Sequence, residues 1–386
     1  RVESPITRVR TNLKRIIMQL LQATRDAVLK PLSTVAGIVE RRHTMPILAN
    51  ILLRKEGNRV AFIATDLEVQ ITTHADFGVG DDVESTTVAA RKLLDILRAL
   101  PNTGEVKLGL NDGKMTVNAG KSRFALQTLD GAEYPTVAQP ESWNLSLSMP
   151  QRTLRKLFNM VHFAMAQQDI RYYLNGMLMV FEEGMVRTVA TDGHRLAHAA
   201  EAVESIGERH EVIVPRKTVL EMQRLLDESD EPVTIDLAAG QIRFTFGDVE
   251  LISKLVEGKF PDFKRVIPTD YTRSFNINRE ALQSSLQRAA ILTTDKLKGV
   301  KLHLENNLLQ ISSSNAEQEE AREEIEVNYE FEPIDVGFNV SYLLDVLAMA
   351  KTEEITWSVK PDVNASALIS LPEETEFKYV VMPMRI

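Results

Sequence analysis

Asn144-Leu145-Ser146-Leu147 alternates like a strand and runs into Leu154, Leu157, Phe158 and Val161, whose spacing is that of a helix with one apolar face. The same opening stands twice more. Met18-Gln19-Leu20-Leu21 begins it 126 residues earlier and Ser274-Phe275-Asn276-Ile277 begins it 130 residues later. Each copy goes on to a strand ending in a small polar turn, Ala64-Thr65-Asp66, Ala190-Thr191-Asp192 and Ser313-Ser314-Asn315, at offsets of 126 and 123. A second helix follows at Arg91-Lys92-Leu93-Leu94, Arg216-Lys217-Thr218-Val219 and Val340-Ser341-Tyr342-Leu343. Closing strands finish near Tyr134-Pro135, Phe260-Pro261 and Met382-Pro383. Repeated units of this kind build an extended, quasi-symmetric surface rather than a single cleft.

With 386 residues the chain exceeds what one core supports, and the repeat divides it into domains 18–139, 143–263 and 264–386. Residues 1–17 fit no copy and read as a disordered extension ahead of Met18. The absence of cysteine excludes disulfides, thiolate chemistry and Cys-ligated metals, and fits a reducing cytoplasm. No apolar run approaches the ~20 residues of a membrane helix. A net charge of -9 argues against nucleic acid binding over the whole surface, so any such role requires segregated basic groups.

The first helices bury Val28, Leu32 and Val35, then Leu154, Leu157, Phe158 and Val161, then Leu282, Leu286 and Ala289. Opposite these lie Arg25 and Lys30, then Arg152, Arg155 and Lys156, then Arg279 and Arg288; the second helices add Arg91, Lys92, Arg98, Arg216, Lys217, Arg224 and Lys351. Any one such face reads as a solvated surface, but agreement in sign across equivalent helices points to a shared purpose. Alternation in Lys107-Leu108-Gly109-Leu110, Thr234-Ile235-Asp236-Leu237 and Ile355 to Val359 marks strands, and Asn111-Asp112-Gly113 marks a hairpin. Each domain is expected to be α+β, two helices packed on antiparallel sheet.

Chemical motifs are few. Gly120-Lys121-Ser122 resembles the end of a phosphate loop, but Met115 stands where that motif needs glycine, so the segment reads as a hairpin turn. The histidines show no metal spacing, and neither metal nor cofactor is expected. Asp192-Gly193-His194-Arg195 could hold an acid/base pair, yet no nucleophile accompanies it, and no catalytic residue is assigned. Tyr172-Tyr173, read as extended, should place one ring inward and one outward, free to stack on a base. Met382-Pro383-Met384 makes an adaptable apolar surface suited to varied peptides.

Arg171 to Gly176, Thr188 to Ala197, Val214-Pro215-Arg216-Lys217, Gly337 to Tyr342 and the run Val381-Met382-Pro383-Met384-Arg385 closely resemble the bacterial sliding clamp family, the beta subunits of DNA polymerase III, over residues 18–386. The resemblance implies a head-to-tail homodimer, a six-domain ring with helices lining the hole, encircling double-stranded DNA without sequence preference. It implies DNA contacts at Arg42, Arg91, Gln168, Tyr172, Tyr173 and Lys217. It also implies a pocket between domains two and three formed by Leu174, Thr191, Gly193, His194, Arg195, Leu196, Pro261, Arg265, Val266, Leu297, Asn339, Tyr342, Val380, Val381, Met382, Pro383, Met384 and Arg385. Some relatives carry phenylalanine where Leu297 stands. The pocket would take short peptides with Leu and Phe anchors from the replicative polymerase alpha subunit, other polymerases, the ATP-driven clamp loader and repair proteins. The cellular place implied is the cytoplasm, on the chromosome.

Size independently favours two chains. Domains of this length are roughly 35 Å across; three in a triangle leave a gap of about 5 Å, and six in a hexagon about 35 Å, against a duplex on the order of 20 Å wide. Ring closure needs unlike, complementary edges. Lys92, Lys121 and Arg123 on one side and Glu317, Glu319 and Glu320 on the other supply opposite signs, and the resemblance sets Phe124 and Leu126 against Ile291 and Leu292 of a partner chain. The rival reading is a peptide-binding scaffold that never holds DNA.

Overall fold

The computed structural model describes residues 18–40, 44–102, 104–204 and 207–386. One order of elements occurs three times: a strand, a helix, four strands, a second helix and three strands. The first copy has strand Met18–Thr24, helix α1 (Arg25–Ala36), strands Asn50–Glu56, Arg59–Thr65, Val69–Ala75 and Val83–Ala89, helix α2 (Ala90–Ala99), then Glu105–Asn111, Lys114–Ala119 and Ser122–Asp130. In the second these are Leu145–Pro150, α3 (Gln151–Val161), Gly176–Glu182, Met185–Thr191, Arg195–Ala202 and His210–Pro215, α4 (Arg216–Leu225), then Pro232–Ala238, Gln241–Phe246 and Val249–Lys254. A short helix, α5 (Phe263–Val266), leads into the third: Arg273–Asn278, α6 (Arg279–Ala290), Gly299–Glu305, Leu308–Ser314, Glu320–Glu326 and Ile334–Asn339, α7 (Val340–Met349), then Glu354–Val359, Ala367–Leu371 and Glu374–Val381. The α+β expectation holds: α1 packs on α2, α3 on α4 and α6 on α7, over antiparallel strands.

Local chemistry explains where elements begin. Thr24, Asn278 and Asn339 cap α1, α6 and α7 by accepting from the backbone N–H of Ala27, Ala281 and Ser341. Pro150 and Pro215 precede α3 and α4 with φ already near the helical value. The apolar faces read from spacing, including Val28, Leu157, Phe158 and Leu286, are all buried, each such side chain contributing about 1.5–3 kcal/mol. The small polar turn is one device made three times. Asp66 accepts from the N–H groups of Glu68 and Val69, Asp192 from His194 and Arg195, and Asn315 from Glu317 and Glu319.

The described residues form two compact units, 18–139 with 248–252, and 140–247 with 253–386. In the second unit one sheet of eight strands runs through two copies of the repeat. The join is the antiparallel pairing of Arg195, Leu196, Ala197 and His198 with Val381, Val380, Tyr379 and Lys378. A separate four-stranded sheet has Glu320–Glu326 at one edge and Ile334–Asn339 at the other.

His198 is buried in this seam. Its ring stacks on Phe263 at 5.7 Å, and Nδ1 lies 2.9 Å from the carbonyl oxygen of Glu376, to which the neutral ring donates. Burial lowers its pKa below the ordinary histidine value; Lys378 and Arg187 act the same way, against the Glu376 carbonyl and carboxylate. An unfolded chain therefore binds a proton at His198 more readily than the folded one, so stability is full above about pH 6.5 and declines as acid takes the solution below it. The melting temperature should fall between pH 7.5 and 5.5, and His198→Asn should flatten that slope. A variant with an unaltered slope would remove His198 from the account.

Candidate functional site

Arg195 leaves the Asp192 turn and carries its guanidinium into the seam, where its side chain is 9% exposed. Nε donates to Asp192 Oδ2 at 3.1 Å, Nη1 to Asp345 Oδ2 at 2.6 Å and Nη2 to the Phe163 carbonyl at 2.8 Å. The cation also lies over the Tyr342 ring, 4.4 Å from its centroid, and 5.7 Å from that of Phe163. Burial opposes the charge, but Tyr379, Asp345 and Asp192 outweigh it and raise the pKa above the ordinary arginine value. Tyr342 and Tyr379 are both shifted upward, first by burial.

Around this cation the structure gathers most of the expected pocket. Leu174, Leu196 and Val380 belong to one buried cluster with Phe260 and Phe263, and Tyr173 packs against it. Thr191 is buried, and Gly193, with φ +90°, lies beside the Arg171 guanidinium, in a conformation that a side chain would strain. Asn339 caps the helix that carries Tyr342. Buried Val381 leads to Met382, whose N–H donates to the His194 carbonyl, and Met384 donates to that of Gly337. Val266, Leu297, Met382 and Met384 are large apolar side chains left in solvent. Pro261, Arg265 and Arg385 are also exposed; Arg265 pairs with neighbouring Asp262. A fixed floor with a methionine rim suits apolar side chains of varied shape.

At this turn Asp192 Oδ1 takes two backbone N–H groups and Oδ2 takes Arg195, so both oxygens brace the turn. Among the described residues no group of three or more His, Cys, Asp or Glu is placed to hold a metal.

Of the expected DNA contacts, Arg42 lies outside the described residues. Arg91 is exposed on α2. Gln168 sits at φ +55° in a loop braced by Asp169, which takes the backbone and side chain of Arg171, while Asn175 ties back to Asp169. That Arg171 contact holds the Asp169 carboxyl down at about 2. Tyr172 and Tyr173 require a correction, because Tyr172–Leu174 is a turn of 3₁₀ helix and not an extended segment. The rings meet edge to face at 6.0 Å, with Tyr172 58% exposed and Tyr173 half-buried. The unequal exposure follows from Tyr173 packing on the cluster, not from strand alternation. Lys217 is the second residue of α4, after Arg216, whose N–H donates to the Asn175 carbonyl and so ties the helix to this loop.

The basic helix faces are less positive than their sequences suggest. Arg152 pairs with Asp230, Arg155 with Glu228, Arg224 with Glu221, Arg279 with Glu280 and Arg288 with Glu323. Such exposed pairs contribute little to stability and mainly trim the local field.

Among the described residues, both strand stretches expected at a junction have an edge without a strand partner. Of the described residues, 122–127 pair on one side with Lys114–Ala119, and on the other side Thr128 to Asp130 pair with 86–88. Lys92, Lys121, Arg123 and Phe124 are exposed, and Leu126 is half-exposed. Glu320–Glu326 ends its sheet, with Glu317, Glu319 and Glu320 exposed, Ile291 76% exposed and Leu292 half-exposed. Sequence reasoning missed Asp345 and Phe163, the Arg195 partners; neither has a local signal, since each lies far from Arg195 in the chain.

Comparison with known proteins matches three family profiles, each described as a domain of the DNA polymerase III beta subunit: N-terminal over residues 18–138, central over 148–262 and C-terminal over 264–385. The beta sliding clamp of Pseudomonas aeruginosa is 46% identical over 364 residues, 94% of this chain and 98% of that protein. That of Escherichia coli is 40% identical over 362 residues, with the same coverage. A crystal structure of the Pseudomonas aeruginosa DNA polymerase sliding clamp with ligand superposes with a TM-score of 0.91 at 44% identity, covering 95% of this chain and all of that one. The Caulobacter crescentus pol III beta structure gives 0.88 at 36%, covering 96% and 100%.

Replacing Arg195 by methionine leaves Asp192 without its cation inside the seam. The unfolding free energy should drop by about 3 kcal/mol, the low end for a broken buried pair because Asp345 is half-exposed. Urea titration measures it, and an unchanged midpoint would contradict the assignment.

Proposed function

Because the chain belongs to the DNA polymerase III beta subunit family of sliding clamps, we propose that two copies close head to tail into a ring that encircles duplex DNA. The ring tethers the replicative polymerase and other partners through the pocket around Arg195. The observation that carries this reading is the pair of open strand edges with rims of opposite charge. An unpaired edge is a template for another strand. Residues 122–127 of one copy and Glu320–Glu326 of the other can continue one sheet across the junction, with Phe124 and Leu126 covering Ile291 and Leu292. Lys92, Lys121 and Arg123 then face Glu317, Glu319 and Glu320.

Held by topology, the ring needs no tight grip on DNA. Arg42, Arg91, Gln168, Tyr172, Tyr173 and Lys217 contact phosphate and sugar without reading bases, which permits sliding. The pocket takes Leu- and Phe-anchored peptides from the polymerase alpha subunit, the ATP-driven clamp loader, other polymerases and repair proteins. The protein works in the cytoplasm on the chromosome as a non-catalytic subunit. No helix among the described residues is long and apolar enough to cross a membrane.

Loaded on nicked circular DNA by a clamp loader, the protein should stay bound through gel filtration and leave once the circle is cut. Equal retention on circle and linear DNA would sink the ring and favour the scaffold. Ile291→Ala with Leu292→Ala should produce monomers in sedimentation velocity; a persisting dimer mass would place the junction elsewhere.

A further inference from the structure

Segment 382–386 is a strap between two fixed points. The Met382 N–H donates to the His194 carbonyl at 3.0 Å and the Met384 N–H to the Gly337 carbonyl at 2.8 Å, while Pro383 between them has no N–H to give. Two hydrogen bonds leave such a strap free to slide sideways unless something locates it. Strands Gly299–Glu305 and Ile334–Asn339 supply that something by what they lack.

Gly299 pairs with Asn339, and Gly337 pairs with Lys301, so the two glycines are diagonal neighbours on one face of the sheet. Neither has positive φ, so neither is needed for backbone freedom. They are there for room. A Cβ on Gly337 would meet Ile386 Cδ1 at 2.5 Å and the Met384 carbonyl oxygen at 2.6 Å. On Gly299 it would meet Ile386 Cδ1 at 3.1 Å and Met384 Cε at 3.5 Å. Ile386 is otherwise exposed, and its side chain rests in this bare saddle. The strap residues, with Lys301, Val336 and Val363 among others, line an open groove of about 410 Å³.

We infer that Gly299 and Gly337 are positioning residues for partner peptides: by seating Ile386 they set where Met382 and Met384 stand at the rim of the pocket. The inference rests on the peptide-binding reading given above. A rim fixed before binding spares the cost of ordering two flexible methionines when the peptide arrives.

The probe is a fluorescein-labelled hexapeptide with leucine and phenylalanine anchors, titrated by anisotropy into the full chain. Gly337→Ala must push a backbone oxygen and should weaken binding on the order of tenfold; Gly299→Ala displaces only a side-chain tip and should cost about two- to threefold. Ile386→Ala, which empties the saddle without crowding it, should also weaken binding. In each variant the methyl resonances of Met382 and Met384, followed with methyl-labelled methionine, should shift while the dimer mass and melting temperature stay put. Wild-type affinity in both Gly337→Ala and Ile386→Ala overturns the inference, provided that removal of residues 382–386 abolishes binding. If that removal leaves binding intact, the pocket reading falls too. Should Gly337→Ala fold poorly, Gly299→Ala and Ile386→Ala decide the matter by the same criteria.

Discussion

A guanidinium buried between two carboxylates and two aromatic rings is the constraint around which the second unit is arranged. Arg195 has to keep its charge in a place that penalises charge, and it does so only while Asp192, Asp345, the Phe163 carbonyl and Tyr342 converge on it. Two of these come from the second copy of the repeat and two from the third. Satisfying one side chain therefore aligns two domains, and the four-residue pairing of Arg195–His198 with Lys378–Val381 extends that alignment into a continuous sheet. Lys156 repeats the tactic nearby, reaching Glu201 in one copy at 2.7 Å and Glu374 in the other at 2.8 Å. The apolar cluster containing Leu174, Leu196 and Val380 can then have residues from both copies and still be buried.

Charge is handled differently at the surface. The chain carries an excess of nine negative charges, and many arginines on its helices are matched by a nearby carboxylate. A weak, patchy field is compatible with the enclosure of DNA proposed above, in which strong phosphate binding would act as a brake. The acidic groups around Glu320–Glu326 and the basic groups around residues 121–123 remain exposed at strand edges, where like charge also keeps identical edges from pairing.

Much of the fold was legible because the copies share features with short-range causes. The Asp66, Asp192 and Asn315 turns need an Asx side chain at one position, and the helix faces need apolar residues at fixed spacing, so both survive as readable patterns. Beyond the Met382-Pro383-Met384 stretch, the candidate pocket was legible through family resemblance, since its residues come from several distant segments. What stayed hidden depends on long-range encounters: Asp345 meeting Arg195, Glu228 meeting Arg155, Ile386 lying on Gly337. The Tyr172-Tyr173 pair misled for a local reason. Adjacent aromatics look like a strand, yet the Asp169–Asn175 hydrogen bonds close the chain into a turn before a strand can form.

Three copies of the turn exist among the described residues, and the one at Asp192 carries the arginine of the candidate pocket. Three places beyond the Asx residue stand Val69, Arg195 and Gln318, and only the arginine can recruit a neighbouring domain by charge. On the proposed function, the valency of the assembly would follow its number of chains and not its number of repeats. If the proposed pocket takes partner peptides, clients of a single chain would compete for one berth, and turnover among them would become a question of relative dwell time.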